Sequence, residues 1–239
     1  MQTPILHRER VLAASFAILA GAIGPVWPVR GETRTCQAAV VAVTADNSAE
    51  IGQACEAAAA ALEFLHDNGL ETDWQVDLHL VPALPPGTPA MAAGCYVGAS
   101  DRVYVLTYAA CLQWPQTRTV LGEPLARDIY RSLVAHEVAH DIARHNFRIA
   151  SPPWAAQEYI AYVTQMATLP EVTRARILAR LPAERIGHPA ELNSVLLMTS
   201  ADAFAVQAWR HYLLPGNGAA FMQSLVAGEA VPNYGLSPP

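Results

Sequence analysis

Residues 136–140 read HEVAH and lie within the stretch from Gly122 to Ala167, around which the rest of the chain is organised. The pentapeptide is an H-E-x-x-H motif. Helical residues four apart share one face and lie about 6 Å apart along the axis. His136 and His140 can therefore offer two imidazole nitrogens to one cation. Glu137 is one position further round the helix and can lean over an open coordination position without binding the metal itself.

The ligand types indicate zinc. Zn2+ takes neutral imidazole and carboxylate ligands at about 2.0–2.2 Å. It also lowers the pKa of water at its open position to about 7, and Glu137 is placed to take the proton from that water. A second carboxylate, Glu158, lies downstream where we expect the third metal ligand.

The apolar spacing from Glu123 to Phe147 predicts one long helix, with Pro124 in its first turn. Residues 149–153 read IASPP and break it. A second helix is predicted from Trp154 to about Thr168, capped by Ser151.

Two long helices joined by a short break usually fold back as an antiparallel pair. The midpoint between His140 and Glu158 falls inside the break. The hairpin should therefore bring Glu158 to the level of His140.

H-E-x-x-H followed at a distance by a Glu on the next helix resembles the gluzincin class of zinc metallopeptidases, especially its small single-domain members. The resemblance implies that His136, His140 and Glu158 bind zinc and that Glu137 is the general base. We expect an α+β fold with a small N-terminal β-sheet with helices, a zincin-like core holding the two motif helices, and a helical C-terminal part.

The chain departs from the larger gluzincins at one position. They often carry an acidic residue four positions after the third ligand, where it supports a ligand histidine, and here that position is Tyr162. The class with three histidine ligands is a poor match. It needs a Gly turn and a third His six positions after the second, whereas His145 is one position short of this and projects away from His136. We reject His145 as a ligand of this metal.

A peptidase also needs a donor that stabilises the developing oxyanion. The downstream candidates are Tyr159, Tyr162, His188, His211 and Tyr212. We choose Tyr162, which shares the helix face of Glu158, and His211 in a C-terminal helix. Each of these residues also has an ordinary structural interpretation.

Composition excludes several other functions. The chain contains no lysine, which excludes a lysine Schiff base, a P-loop lysine and a Ser-Lys dyad. The net charge is −6, and no basic run or aromatic-basic patch is present, so nucleic acid is not an expected partner.

The N-terminus resembles a secretory signal. Arg8 and Arg10 precede an apolar run from Val11 to Gly24, about 14 residues and too short for a confident membrane span. Residues 20–22 near the end of this run resemble a small-residue cleavage site. We predict a signal peptide at 1–22 and a single zincin-like metallopeptidase domain at 23–239. The protein would then be secreted or periplasmic, with no stable membrane insertion after cleavage. The alternative is an uncleaved membrane anchor.

Four cysteines remain after the predicted cleavage, and none has C-x-x-C spacing. An even number in an exported chain favours two disulfides. Three pairings are possible, and we favour Cys36–Cys55 and Cys95–Cys111 because each closes a short local loop. The alternative is four reduced, buried cysteines.

Strand patterns occupy the N-terminal half. Residues 38–44 and 74–81 read as strands, with His79 on the solvent face of the second. Residues 94–98 and 102–108 form a predicted hairpin. In the peptidases that this chain resembles, an exposed edge strand pairs with an extended substrate, and Val103 to Thr107 is our candidate for it. The alternative for this segment is an ordinary central strand.

The predicted function is an exported zinc metallopeptidase that cleaves a peptide or protein substrate with metal-activated water and Glu137 as general base. The second hypothesis is a non-catalytic metal-binding or interaction protein of the cell envelope. The third is a structural envelope domain without a metal.

Overall fold

The computed structural model describes residues 31–36, 40–89, 92–114, 117–181 and 191–230. The predicted signal peptide at 1–22 and His188 lie outside these residues. Within them the chain has an α+β fold of seven strands and eight helices, as predicted. No helix in these ranges is both long and apolar enough to cross a membrane.

The strands are β1 (Glu32–Thr35), β2 (Val41–Ala45), β3 (Val76–Val81), β4 (Gly94–Val97), β5 (Arg102–Leu106), β6 (Thr119–Val120) and β7 (Glu123–Pro124). The helices are α1 (Ser48–Asp67), α2 (Tyr108–Gln113), α3 (Arg127–Asn146), α4 (Trp154–Thr168), α5 (Glu171–Arg180), α6 (Ser194–Thr199), α7 (Ala201–Tyr212) and α8 (Gly218–Ala227).

Five strands form one mixed sheet in the order β1-β2-β3-β5-β4. Strands β2, β3 and β5 are parallel, and helix α1 supplies the crossover between β2 and β3. Strands β1 and β4 are antiparallel to their neighbours and form the two edges. Helices α1 and α3 pack together, and α3 also contacts β3, β4 and β5. The H-E-x-x-H helix therefore lies against the β4 end of the sheet.

The prediction that Val103 to Thr107 is an exposed edge strand is wrong. Strand β5 is buried and lies between β3 and β4. The hairpin pattern identifies β4 and β5 as partners, but the pairing of β5 with β3 decides which of them is inside the sheet. The edge strand beside α3 is β4.

Helix α3 begins at Arg127, not at Glu123 as predicted. The preceding residues form the small β6–β7 hairpin, whose two turn residues, Leu121 and Gly122, have φ values of 54° and 73°. Two positive φ angles are what a two-residue hairpin turn of type I′ requires. The buried Glu123 pairs with Arg176 and Arg180 of α5 at 3.1 and 3.2 Å. This ion pairing holds Glu123 in the hairpin and outside the helix.

His79 does not lie on a solvent face, so that prediction is also wrong. The residue is only 7% exposed. Its ring stacks on Tyr104 of the neighbouring strand at 5.2 Å, and its Nε2 lies 2.9 Å from Asp77 Oδ1. Alternation in β3 correctly separates two faces, but it does not show that the second face is also covered.

One of the two predicted disulfides is present. Cys36 and Cys55 are bonded, with Cα atoms 5.4 Å apart, and join the end of β1 to α1. The Cys95–Cys111 prediction is wrong because both residues are free, buried thiols. Cys95 packs with Val81 and Tyr104 on one face of the sheet, whereas Cys111 belongs to the main core on the other. The sheet itself separates them.

Candidate metal centre

The hairpin of α3 and α4 brings the three predicted metal ligands together, as expected from the sequence. His136 Nε2 lies 3.1 Å from His140 Nε2. Glu158 Oε2 lies 3.5 Å from His136 Nε2, and Glu158 Oε1 lies 3.6 Å from His140 Nε2. The three side chains of this metal centre can hold one metal ion.

The separations between the side chains are close to those that one shared zinc ion requires. Ligand atoms about 2.1 Å from a tetrahedral zinc ion lie about 3.4 Å from one another. The observed separations fall on both sides of that value. Glu158 Oε2 is buried and has no hydrogen-bond donor among the described residues. A buried carboxylate oxygen without a donor needs a positive partner, which a bound cation would provide.

Burial sets the protonation states that a metal requires. Burial lowers the pKa of His136 to about 3, although Gln165 opposes this shift. It lowers the pKa of His140 to about 4, although the charge of Glu158 opposes that shift. Both imidazoles are therefore neutral near pH 7 and can bind a cation. Burial raises the pKa of Glu158 to about 7, although His140 and Trp154 oppose the shift. A bound cation would favour the ionised carboxylate.

Two residues that the sequence did not single out hold the ligands in place. Trp154 Nε1 donates a hydrogen bond to Glu158 Oε1 at 3.0 Å. Gln165 lies beside His136, whose pKa it raises, and donates through its Nε2 to Ser132 Oγ at 3.4 Å. The Gln165 carbonyl oxygen is thus left as an acceptor for His136 Nδ1–H, and that bond would keep Nε2 of the ring free for a metal. Both residues lie on the face of α4 that carries Glu158, one turn before it and two turns after it.

Glu137 lies between the metal centre and the edge strand. It is buried, and neither carboxylate oxygen has a hydrogen-bond partner among the described residues. Burial raises its pKa well above the usual range, and the charge of Glu158 adds to the shift. A Cβ atom placed on Gly94 would lie 2.6 Å from Glu137 Cγ. Only a glycine therefore allows the first residue of β4 to approach Glu137 this closely.

Tyr162, predicted as an oxyanion donor, is at the centre. Its ring meets His136 edge-on with centroids 4.6 Å apart. Burial raises the pKa of the Tyr162 phenol, and the charges of Glu158, Asp202 and Glu137 raise it further. The phenol therefore keeps its proton and can act as a donor.

His211, the other predicted donor, makes a different set of contacts. Its Nδ1 lies 3.0 Å from the Tyr159 hydroxyl, and its Nε2 lies 3.2 Å from Asn217 Nδ2. The ring also packs edge-on against Phe221. Both nitrogens are occupied in the packing of α7 against α4 and α8, so we assign His211 a structural role.

Comparison with known proteins identifies a family but no characterised relative. No curated protein and no solved structure matches the chain. One family matches residues 41–234, a range that contains every residue of the metal centre. Because this match covers most of the sequence, the chain belongs to DUF6639, a family of unknown function.

Proposed function

We propose that this protein is an exported zinc metallopeptidase of the gluzincin type, which hydrolyses peptide bonds in a peptide or protein substrate. The observation that carries the proposal is the position of Glu137. This carboxylate lacks a hydrogen-bond partner among the described residues and lies beside three converging ligands, against the edge strand of the sheet. A site that only stores or transports a metal has no need of such a group.

Zn2+ bound by His136, His140 and Glu158 would polarise the substrate carbonyl and lower the pKa of the attacking water to about 7. Glu137 takes one proton from that water and passes it to the leaving amine nitrogen as the C–N bond breaks. Burial favours the protonated form of Glu137, and the charge of a bound cation would oppose that shift and keep the carboxylate ionised so that it can accept the proton. Tyr162 keeps its proton and donates it in a hydrogen bond to the developing oxyanion.

The substrate is placed by strand β4, in the role that the sequence assigned to Val103 to Thr107. The outer edge of β4 pairs with no other strand in the described part of the chain. An extended peptide can add to such an edge through main-chain hydrogen bonds. Gly94 at the start of β4 lies next to Glu137, so a peptide that pairs with this end of β4 would be close to the proposed base.

Export is the second part of the proposal. The Cys36–Cys55 disulfide requires an oxidising compartment, which agrees with the predicted signal peptide. We therefore infer a secreted or periplasmic location for the mature chain.

The alternative is a non-catalytic metal-binding protein of the cell envelope. The burial of the centre favours it, because His136, Glu137, His140 and Glu158 are 0%, 1%, 2% and 1% exposed. A structural metal is normally closed off by its protein ligands, whereas a catalytic one keeps a position for water and substrate. The peptidase proposal therefore requires the centre to open when substrate binds.

Cleavage of an unfolded protein substrate by the zinc-loaded chain distinguishes the peptidase from the non-catalytic metal-binding protein. We expect fragments from the wild type, none after chelation, and a loss of at least about 100-fold in Glu137→Gln. Because Glu137 is not a ligand, this variant should keep its zinc, as measured by mass spectrometry of the metal. Unchanged cleavage by Glu137→Gln would refute the mechanism. A zinc-loaded wild type that cleaves no member of a peptide library would favour the envelope protein.

A further inference from the structure

A second group of ligand-type side chains lies outside the metal centre. Asp141 and His145 come from the end of α3, and Asp101 comes from the turn between β4 and β5. Each offers one ligand atom, and these three atoms lie within 4.8 Å of one another. His145, which the sequence excluded as a ligand of the first metal, is thus part of a different cluster.

The hydrogen bonds of His145 prepare it to bind a cation. Its Nδ1 lies 2.9 Å from the main-chain carbonyl of Asp141. A carbonyl oxygen only accepts, so Nδ1 carries the proton and Nε2 of the neutral ring has its lone pair free. Nε2 faces Asp101 Oδ2 at 3.5 Å. Two acceptor atoms face each other here, which is favourable only with a positive charge between them.

The two carboxylates also lack sufficient donors. Asp141 is almost completely buried, with its side chain 2% exposed, and neither oxygen has a hydrogen-bond partner among the described residues. Its Oδ1 lies 3.5 Å from His145 Nδ1, but the proton of that nitrogen is directed to the main-chain carbonyl. Asp101 Oδ1 accepts a hydrogen bond from the Tyr96 hydroxyl at 2.7 Å, which fixes the direction of its other oxygen. The side chain of Asp101 is 53% exposed, so a cation has a route from solvent into the cluster.

We propose that Asp101, Asp141 and His145 bind a second divalent cation, of the kind that accepts mixed imidazole and carboxylate ligands, such as Zn2+ or Mn2+. Water fills its remaining positions. The ion joins the β4–β5 turn to α3 and so fixes the edge strand against the helix that carries Glu137. The stacked ring of Trp74, 5.1 Å from that of His145, covers the site on one side.

The competing occupant is a proton. A doubly protonated His145 between the two aspartates would satisfy the same acceptors without a metal. Positive charge from neighbouring arginines is limited, because Arg102 is paired with Asp77 at 2.9 Å, although the charge of Arg144 reaches the nearby Tyr96 hydroxyl. The two occupants differ in the number of metal ions that the chain binds.

Zinc stoichiometry of the full-length mature chain tests the proposal. The protein is stripped with a chelator, titrated calorimetrically with Zn2+ and then desalted for metal analysis. We expect two ions per chain. His145→Phe keeps a ring against Trp74 but removes the ligand nitrogen, so it should bind one. Asp101→Asn provides a second variant, because Asn tolerates the positive φ of 52° at this position.

Matched controls separate the two sites. Asp77→Asn removes a partly buried, ion-paired carboxylate of the same sheet and should still bind two zinc ions. Glu158→Gln should lose the ion of the first metal centre and keep the second. Hydrogen exchange gives an independent result: Zn2+ should protect the amides of 97–102 in the wild type but not in His145→Phe.

Each outcome is decisive. A wild type that binds one ion, which is lost in Glu158→Gln, overturns the second site and leaves the proposed peptidase intact. Two ions that persist in both His145→Phe and Asp101→Asn also overturn it, since the second ion would then lie elsewhere. Two ions in the wild type and one in each of these variants support it, whether or not the protein cleaves peptides.

Discussion

Single residues around the three candidate metal ligands are placed to control the orientation of those ligands without binding a metal themselves. Gln165 is placed to fix the tautomer of His136 by accepting its Nδ1 proton, and Trp154 holds one oxygen of Glu158. Such partners commonly change metal affinity by about 10–100-fold. The importance of Gln165 can therefore be tested by its effect on zinc binding alone.

Replacing Gln165 with Leu should weaken zinc binding by about 10–100-fold, because His136 loses the acceptor for its Nδ1 proton. The measurement is competition for Zn2+ against a chelator of known affinity. Gln165→Glu is the matched control: it loses the bond that Gln165 donates to Ser132 but keeps an acceptor facing His136, so zinc binding should be retained. If Leu and Glu weaken binding equally, the hydrogen bond to His136 does not orient the ligand.

The sequence predicts the ligands but not their partners. His136, His140 and Glu158 follow from helical spacing and a short hairpin, both of which are local properties. Gln165 and Trp154 lie at helical spacing from Glu158, so their face was predictable. Nothing in the sequence distinguishes them from other polar or aromatic residues on a buried helix, and their role becomes visible only with the contacts in place.

At the scale of elements, the proposed active site depends on the approach of strand β4 to helix α3. Gly94 is the point of closest approach, since a Cβ there would lie 2.6 Å from Glu137 Cγ and 2.8 Å from its Oε1. The near part of the Glu137 side chain would be displaced, so the strand and the carboxylate could not both keep their positions.

Gly94→Ala should therefore reduce peptide cleavage by about 100-fold while zinc remains bound, because small displacements of a catalytic group have effects of this size. The matched control is Gly98→Ala in the same hairpin, where the added Cβ makes an ordinary contact of 3.6 Å with Tyr96. The quantity to compare is kcat/KM on one peptide, with zinc content measured in parallel. Wild-type activity in Gly94→Ala would contradict the proposed position of β4 beside Glu137.

Elements that depend on local sequence are predicted well here. The break at 149–153 and the bounds of helix α4 agree with the structure, but the residue before the helix is Pro153, which provides no side-chain cap, and not Ser151 as predicted. Helix α3 begins four residues later than predicted because Glu123 pairs with the arginines of α5. The strand order is a long-range property. The hairpin β4–β5 is evident from the sequence, but only the pairing of β5 with β3 makes β4 the edge.

At the scale of the whole molecule, the sheet divides the interior into two compartments. Cys95 and Cys111 are close in sequence but lie on opposite faces, and His79 is buried on the face that the sequence assigned to solvent. Alternation along a strand shows that two faces exist. Whether each is covered depends on distant segments, and this is why both predictions were wrong.

With one disulfide and two free cysteines, we expect two free thiols in the unfolded, non-reduced protein and four after reduction. Loss of the Cys36–Cys55 bond in the double Ala variant should lower the free energy of unfolding by about 2–4 kcal/mol, because the bond restricts the unfolded chain. Denaturant unfolding of the metal-free protein measures this, with Cys95→Ala as the control that removes a buried thiol but no crosslink. A count of zero free thiols before reduction would restore the Cys95–Cys111 pairing.

The central claim is that two imidazoles and one carboxylate converge on a single ion. Anomalous diffraction at the zinc absorption edge, from crystals of the zinc-loaded His145→Phe variant, tests it most directly. We expect one anomalous peak for zinc, at about 2.0–2.2 Å from His136 Nε2, His140 Nε2 and a carboxylate oxygen of Glu158. A Glu158 side chain turned away from the two histidines, or a zinc peak elsewhere with none at this position, would contradict it.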